Sequence, residues 1–576
     1  MRNQEIARIF NEIADILEIK GENPFRIRAY RRAAQNIDGL PKDVSTLSDE
    51  EMLRIPGIGH DLAGKIREYL STGRMASYED LKKEIPEGLT MLLTVPGLGP
   101  KTAKLLYDRL KIKSVDELEH LARQHKLVGL PGIKEKTEEN ILKGIEMLKR
   151  GKDRLPIGRV LPIAMEILNE LRKSSPANKL DLAGSLRRWK DTIKDIDILA
   201  TSKNPEKVMN VFVKLPMVKD ILMKGPTKSS VVITEGIQVD LRVVEEGSYG
   251  AALAYFTGSK AHNIKIREMA VKAGLKINEY GIFRESDNKR IGGEKEEDVY
   301  RVLGLPYIPP ELREDTGEIE AALEGRLPKL LELSDIKGDL HVHSKHSDGS
   351  HTIEDLISAA KERGYEYIAL TDHTKGLGVA RGLNEEKVIE ELKEVRALNR
   401  KLKDFRVLMG VEVDIRSNFT LDLPDEVLKE LDIVVASIHS GFRQKREQLT
   451  KRLISAIENP YVTIIAHPTG RLIGERDAYD VDLEEVFKKA KENGKALEIN
   501  AYPLRLDIND IQAKRAKEMG IPMVISTDTH LINQFDYIQY GVSIGRRGWL
   551  ERADVLNTMN TENLLKWIKR HTGSKG

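Results

Sequence analysis

Hydrophobic and polar positions follow two different rhythms along the 576 residues. Over residues 1–150, apolar positions recur with a helical period, and short glycine turns separate the helical stretches. From residue 336 onward, apolar β runs alternate with amphipathic helical stretches. These runs lie near 338–343, 367–372, 406–413, 433–439, 462–467, 496–501 and 523–528. About seven strand–helix repeats predict a parallel sheet that closes, or nearly closes, into a barrel.

The middle of the chain has a mixed pattern. Residues 151–310 combine helical stretches with the β runs "IDILA", "SVVIT" and "IQVDLRVV", which is typical of an α+β domain. Residues 311–335 are acidic and helical and suit a connector. We therefore expect a multidomain protein with an all-α amino-terminal part, an α+β middle and an α/β carboxyl-terminal barrel.

Composition narrows the class of protein. The chain is 40% hydrophobic and 32% charged, as in ordinary globular proteins, and it contains no run of 18 apolar residues. Its amino terminus reads as a polar amphipathic helix rather than a signal peptide, so we expect a cytoplasmic protein with no membrane partner. The absence of cysteine excludes disulfides and cysteine nucleophiles. No pattern resembles a coiled coil, and we expect a monomer.

Charge is distributed unevenly. Residues 1–310 hold 53 Lys and Arg against 45 Asp and Glu, whereas the remaining residues hold 40 against 46. A basic first part suits a polyanionic partner, and an excess of carboxylates in the second part suits metal ions. Drift of solvated surface charge would produce the same count, so the motifs must decide.

A motif of one helix, a Pro-Gly-apolar turn and a second helix recurs in the first part. It appears as "LRIPGIGHDLAGKIREYL" (53–70), as "LTVPGLGPKTAKLLYDRL" (93–110) and, more weakly, over 127–145. Glycines let the backbone approach a phosphate closely, and the N–H groups at the following helix start face it. The repetition favours backbone binding of DNA without sequence readout over a purely structural turn. The candidate DNA-binding residues are Gly57, Gly59, Gly97 and Gly99.

A second motif combines a Gly-Ser turn with carboxylates in β runs. Gly184 and Ser185 precede Arg187 and Arg188, which together suit a triphosphate. Asp195 and Asp197 alternate in one β run and therefore share a face, and Asp240 in the run "IQVDLRVV" is placed to join them. Three clustered carboxylates are what two Mg²⁺ ions need to bring a 3′-hydroxyl and an α-phosphate together.

With these motifs, residues 1 to about 310 closely resemble the family X DNA polymerases, the polymerase β-like nucleotidyltransferases. The resemblance implies catalytic and Mg²⁺-binding roles for Asp195, Asp197 and Asp240, and it implies dNTPs and gapped or primed DNA as substrates. The segment "YFTGSKAHNIKIR" resembles the nucleotide pocket of the family, and "LKINEYGIF" its thumb. The implied substrate-binding residues are Gly184, Ser185, Arg188, Tyr255, Phe256, Gly258, Lys260, Asn263 and Arg267.

Two lysines bear on the resemblance: Lys260 departs from the family pattern, and Lys65 follows it. Lys260 stands where the animal repair enzymes have an acidic residue, and a cation there could strengthen triphosphate binding before DNA is engaged. Lys65 occupies the place of the family's lyase nucleophile, which removes a 5′-deoxyribose phosphate through a Schiff base. That role requires a depressed pKa, and the alternative is a lysine lying beside DNA phosphates.

Histidines and carboxylates end nearly every β run of the predicted barrel. The carboxyl ends of barrel strands are where catalytic groups converge, and imidazole with carboxylate favours zinc, manganese or iron. One such histidine would be unremarkable, but an ordered series predicts a site for two or three divalent ions. The candidate ligands are His341, His343, Asp348, His373, Glu412, His439, His467, Asp528 and His530.

This region, from 336 to about 570, resembles the PHP (polymerase and histidinol phosphatase) domain, whose ligand pattern matches all nine positions. The resemblance implies Mn²⁺ or Zn²⁺, a bridging role for Glu412 and hydrolysis of phosphoesters. It excludes His346 from the ligand set. The implied domains are helix-hairpin-helix 1–85, fingers-like helix-hairpin-helix 86–155, palm 156–240, thumb 241–310, linker 311–335 and PHP 336–576.

The joined halves resemble bacterial and archaeal family X polymerases that carry a PHP domain. We therefore expect gap filling in base excision repair, a 3′→5′ exonuclease in the barrel and a further activity against abasic sites. Two alternatives stay open. The barrel could be a metal-stabilised scaffold without turnover, or a small-molecule phosphatase tethered to DNA by the hairpins.

Overall fold

The protein is described by a computed structural model of residues 2–38, 44–55, 57–85, 87–93, 95, 98–135, 137–139, 141, 142, 144, 145, 148 and 154–571. Its contacts divide it into two compact units. The first comprises residues 1–153 with the short segments 474–477 and 530–535, and the second comprises the rest. None of the described helices is long and apolar enough to cross a membrane.

Helices build the first unit, as the helical period predicts. Its first helix serves two cores, because Phe10 and Ile13 pack with the first hairpin whereas Ile16 and Ile19 pack with the later ones. The helices are Arg2–Lys20, Pro24–Asp38, Asp49–Leu53, His60–Thr72, Ala76–Lys83, Glu87–Leu92, Pro100–Leu110 and Val115–Arg123.

A five-stranded sheet opens the second unit. The strands of this region are β1 (Leu155–Pro156), β2 (Lys179–Leu182), β3 (Thr192–Ile193), β4 (Asp195–Thr201), β5 (Val218–Lys224), β6 (Lys228–Ile233) and β7 (Gln238–Val244). The sheet order is β2-β4-β7-β6-β5, in which only β4 and β7 are parallel, and β1 pairs separately with β3. The accompanying helices are Ile157–Ser174, Gly184–Arg187 and Pro205–Phe212.

A small antiparallel meander follows. It consists of β8 (Leu275–Asn278), β9 (Gly281–Arg284) and β10 (Arg290–Gly292), with helices Tyr249–Thr257, Lys260–Lys272 and Glu297–Arg301. The predicted connector, 311–335, contains helix Glu318–Leu323. Its Ile319 and Ala322 are buried in the same core as Ile282 of β9, so this segment packs against the meander. The domain boundaries stay a prediction.

Seven parallel strands then form the predicted barrel. They are β11 (Gly338–Val342), β12 (Tyr367–Leu370), β13 (Arg406–Asp414), β14 (Ile433–Ser437), β15 (Ile464–Ile465), β16 (Ala496–Asn500) and β17 (Met523–Ser526). They pair in sequence order, and the bridge between Val342 and Thr529 joins the last strand's end to the first. Every residue of these strands except Arg406 is buried, because helices cover the outside.

The covering helices alternate with the strands, as the sequence predicts. They are Ile353–Glu362, Glu385–Asn399, Asp425–Leu428, Arg446–Ile457, Leu483–Glu492, Asp510–Met519, Ile538–Arg547 and Thr561–His571. All seven strands run the same way, so their carboxyl ends meet at one rim of the barrel.

Candidate active sites

The three hairpin turns of the first unit share one hydrogen bond. In each, an apolar residue donates its N–H to the carbonyl three residues earlier: Ile58 to Ile55, Leu98 to Val95 and Ile133 to Leu130, at 2.9–3.0 Å. Gly57 has φ +82°, which favours glycine. Gly59 and Gly99 each directly precede a helix, whereas Gly97 lies outside the described residues. The third, weaker repeat is therefore a hairpin of the same kind.

Lys65 lies in the helix after the first hairpin. Its amine is bonded to Asp61 and stands 5.6 Å from the centre of the Tyr30 ring. Burial lowers the pKa of Lys65, but Asp61 and Tyr30 outweigh it and raise the pKa above its ordinary value. This is the opposite of what a Schiff-base nucleophile requires.

The three predicted carboxylates lie on the parallel pair β4–β7 of the five-stranded sheet. Parallel pairing sets Asp197 of β4 directly beside Asp240 of β7, and Asp195 lies two residues before Asp197. Burial, together with the charges of Asp195 and Asp240, raises the pKa of Asp197 to about 7. Such mutual repulsion is relieved when cations bind, so the face is suited to divalent ions.

The Gly-Ser turn fits closely against this face. Gly184 has φ +60°, and a Cβ there would lie 2.2 Å from Oδ2 of Asp197. The glycine is thus needed for both conformation and space. Arg187, considered above for the triphosphate, instead pairs with the buried Glu296 at 2.6 Å, and Arg313 holds the same carboxylate at 2.6 Å. Arg188 is the arginine of the turn that faces the adjoining cavity.

That cavity has a volume of about 380 Å³ and collects most of the predicted nucleotide-binding residues. Asn263 donates to the carbonyl of Tyr255 at 2.7 Å, and the rings of Tyr255 and Phe256 meet edge to face at 5.1 Å. Arg242 stacks over Phe256 at 4.4 Å. The lining residues are Arg188, Tyr255, Phe256, Thr257, Gly258, Lys260, Asn263 and Arg267. Gly184 and Ser185 are not among them.

Eight of the nine predicted barrel ligands converge at the carboxyl-terminal rim. Candidate ligand atoms of His343, Asp348 and His373 lie within 4.8 Å of one another, as do those of His341, His343 and Asp528. His530 falls in the segment 530–535, which groups with the first unit, and it stays a predicted ligand.

Glu412 of β13 occupies the centre of this cluster. Its Oε2 lies 2.8 Å from Nδ1 of His373 and 3.4 Å from Nε2 of His341, and its Oε1 lies 3.2 Å from His439 and 3.1 Å from His467. A carboxylate with histidines around both oxygens has the placement of a bridging ligand. Within the described chain, Nε2 of His341 and Oε2 of Glu412 are buried without a hydrogen bond, as metal-binding atoms would be.

Two residues that support the cluster were missed from the sequence. Glu498 of β16 is fully buried; it lies 2.7 Å from Nδ1 of His341 and accepts from the backbone N–H of His467 at 2.9 Å. A carboxylate on one ring nitrogen directs the other toward a metal. Arg505 lies 3.6 Å from Asp528. The run "ALEIN" was the one β run without an assigned ligand, and its glutamate was the available signal.

Glu498 also alters the pKa values within the histidine cluster. Burial lowers the pKa of His341, but Glu498, Glu412 and Asp528 outweigh it and raise the pKa well above its ordinary value. The buried carboxylates thus stabilise a positively charged group at this rim. A protonated imidazole and a divalent ion compete for the same place.

Four family models match the chain. They are a helix-hairpin-helix domain over 1–75, a SAM-like helix-hairpin-helix tandem over 89–146, a DNA polymerase beta thumb over 252–314 and a PHP domain over 339–502. Hairpins, carboxylate face and histidine-rich barrel together define a nucleotidyltransferase joined to a metal-binding barrel.

Relatives cover both halves. The chain is 40% identical over 573 residues to the DNA polymerase/3'-5' exonuclease PolX of Bacillus subtilis, covering 99% of this chain and 100% of that protein. It is 25% identical to rat DNA polymerase lambda over 54% of this chain and 56% of that one. It is 31% identical to a probable phosphatase of Thermoanaerobacter sp. over 41% of this chain and 97% of the relative. The chain belongs to the family X DNA polymerases that carry a PHP domain, the PolX proteins.

Proposed function

We propose that this protein fills short gaps in DNA during base excision repair and trims 3′ ends with its barrel. The observation that carries the proposal is that Asp197 pairs directly with Asp240 beside Asp195, and that eight of the nine predicted barrel ligands meet at one rim, in a chain similar to PolX along its whole length. The hairpins and thumb supply DNA binding, the polymerase half uses dNTPs, and the chain acts as a monomer.

In the polymerase centre, Asp195, Asp197 and Asp240 would hold two Mg²⁺ ions. The ions, when bound, activate the 3′-hydroxyl and neutralise the α-phosphate. Gly184, Ser185, Arg188 and Lys260 bind the triphosphate. Tyr255 and Phe256 contact the sugar, Asn263 contacts the base, and Arg267 contacts the template. Gly258 lines the same pocket. The anchoring of Asn263 to the Tyr255 carbonyl supports this arrangement.

In the barrel, the nine predicted ligands, Glu412 among them, would hold two or three Mn²⁺ or Zn²⁺ ions. The ions supply Lewis-acid activation for hydrolysis of a phosphodiester. Glu498 fixes the ring of His341, and Arg505 stands beside Asp528 with a charge suited to phosphate. We also propose that abasic sites are cleaved at this rim.

One labelled gapped duplex tests both centres, with Mg²⁺ or Mn²⁺ present. Asp197→Ala should lower extension by about 100-fold or more and leave 3′ trimming intact, and His341→Ala should do the reverse. Asp220→Ala, an exposed acid of the same sheet, and His346→Ala, a neighbouring histidine outside the predicted set, are the matched controls. Normal trimming by the His341→Ala protein would show that the nuclease assignment is wrong.

A second function for the barrel has its own support. Two of the probable phosphatases are covered over 97% and 95% of their own length, which favours a small phosphomonoester as an alternative substrate. Hydrolysis of histidinol phosphate that competing gapped DNA does not inhibit would establish this alternative. A wild-type protein that binds metal ions in the barrel but neither trims DNA nor hydrolyses histidinol phosphate would show that the barrel is structural.

A further inference from the structure

Four charged side chains connect the nucleotide cavity with the barrel. Arg188 donates from Nε to Glu314 at 3.0 Å, and Arg547 of the barrel donates from Nη1 to the same oxygen at 3.1 Å. Arg547 also donates to Asp510 at 2.6 Å. We refer to Arg188, Glu314, Arg547 and Asp510 as the arginine bridge. It lies entirely within the second compact unit.

Arg547 fixes the backbone of Arg188 as well as its partner. Its Nη1 donates to the main-chain carbonyl of Arg188 at 2.7 Å. The next residue, Trp189, meets Tyr540 of the barrel edge to face with ring centres 6.0 Å apart. The guanidinium of Arg188 is also bonded to the carbonyl of Thr257 at the cavity wall. Both ends of this arginine are therefore held in place.

The arginine bridge is largely buried, which strengthens the attraction between its charges. The side chain of Arg547 is 2% exposed, that of Arg188 12% and that of Glu314 20%. Burial would raise the pKa of Glu314, but Arg188, Arg547 and Lys190 outweigh it and lower the pKa. Glu314 is thus a carboxylate shared by two arginines. Because Arg547 takes part of its negative charge, Glu314 neutralises Arg188 less completely.

We propose that Arg547 and Glu314 are positioning residues for the polymerase reaction, so that the barrel helps to build the dNTP site. The proposal rests on the proposed role of Arg188 in binding the triphosphate. An anchored arginine loses less conformational freedom when it binds phosphate, and its charge is less fully neutralised when its carboxylate partner is shared with a second arginine. The barrel therefore contributes to nucleotide affinity independently of its own hydrolytic centre.

The test measures single-nucleotide extension of a gapped duplex by the full chain. Arg547→Met should raise KM for dNTP about tenfold, the effect expected from losing a charge-assisted hydrogen bond, with kcat within about twofold. Trimming by the same preparation should not change. Arg547→Lys should recover part of the affinity, because it keeps the charge but not the three contacts.

Arg546→Ala is the matched control. This neighbouring arginine also joins the barrel to the connector, through Glu311 at 2.8 Å and the Leu331 carbonyl at 2.9 Å, but it has no contact with Arg188 among the described hydrogen bonds. Its KM should stay at the wild-type value. A rise equal to that of Arg547→Met would overturn the proposal.

A double variant separates positioning from general damage. Arg188→Ala should raise KM, and adding Arg547→Met should raise it by no more than about twofold further, because both act through one contact. Multiplied effects would overturn the proposal. An unchanged KM in Arg188→Ala would instead refute the role of Arg188, and a wild-type chain without extension would refute the proposed function. If Arg547→Met does not fold, Arg547→Lys and Asp510→Asn replace it. An unchanged KM for dNTP in both of these variants would overturn the proposal.

Discussion

Replacing Glu296 by glutamine tests how the palm turn is held. Glu296 is buried and accepts from Arg187 of the Gly-Ser turn and from Arg313, whose side chain has no exposed surface. Glu296→Gln keeps the size of the side chain but removes the charge that both arginines share. We expect the packing around Glu296 to lose stability, since Arg187 and the buried Arg313 would both lack this counter-ion.

The magnitude follows from the acid–base behaviour of Glu296. Burial would raise its pKa, but Arg313 and Arg187 outweigh it and lower the pKa from 4.5 to about 2. That difference corresponds to about 3 kcal/mol in favour of the folded state. Because the folded pKa is the lower one, the contribution is complete well above pH 4.5 and is lost as the pH falls toward 2. About half of it remains at pH 3.

Hydrogen exchange measured on peptides from 290–323 reports this local stability. At pH 7, Glu296→Gln should accelerate the slow amides of this segment by about 100-fold, and the difference from wild type should narrow at pH 3. Glu297→Gln removes an exposed neighbouring charge and is the control. Equal protection of wild type and Glu296→Gln at pH 7 would refute the reasoning.

Three further predictions follow from the two active sites and the first hairpin. Gly184→Ala should reduce extension at least 100-fold without affecting trimming, because its Cβ would strike a predicted Mg²⁺ ligand; near-normal extension kinetics would contradict this. Glu498→Gln should weaken Mn²⁺ activation of trimming by about 10- to 100-fold, because it loosens the ring of His341, and an unchanged Mn²⁺ titration would exclude that role. Borohydride trapping of the protein on a 5′-deoxyribose phosphate should be weak at pH 7.5. It should increase in Asp61→Asn, because Asp61 helps to keep Lys65 protonated. Strong trapping in the wild-type protein that Lys65→Ala abolishes would contradict the raised pKa of Lys65.

The barrel was predictable because its signals are local. Each strand is a short apolar run, and most runs end in a histidine or carboxylate. The hydrophobic pattern and the positions of the candidate ligands therefore indicate the same strands. Even β15, with only Ile464 and Ile465 in ladder pairing, lies within a predicted run. The hairpins were predictable for the same reason, since turn and helix start are neighbours in sequence.

The contacts that hold the sites in place were not predictable. Arg187 and Glu296 are 109 residues apart, and Arg547 and Arg188 are 359 apart, so no periodic pattern links them. Strand β5 was missed because its residues are mostly exposed and lack the expected alternation. Long-range ion pairs depend on how finished elements pack, which a single sequence does not encode locally.

The direct pairing of Asp197 with Asp240 carries a consequence for protein engineering. Their spacing is set by the β4–β7 ladder and not by the 42 residues between them. Lengthening the turn at Thr234–Gly236, between β6 and β7, should leave the carboxylates in place, so this turn is suited to carrying a fluorescent reporter. Deleting a single residue within β7 would turn Asp240 to the opposite face and silence synthesis, although the composition of the chain would barely change.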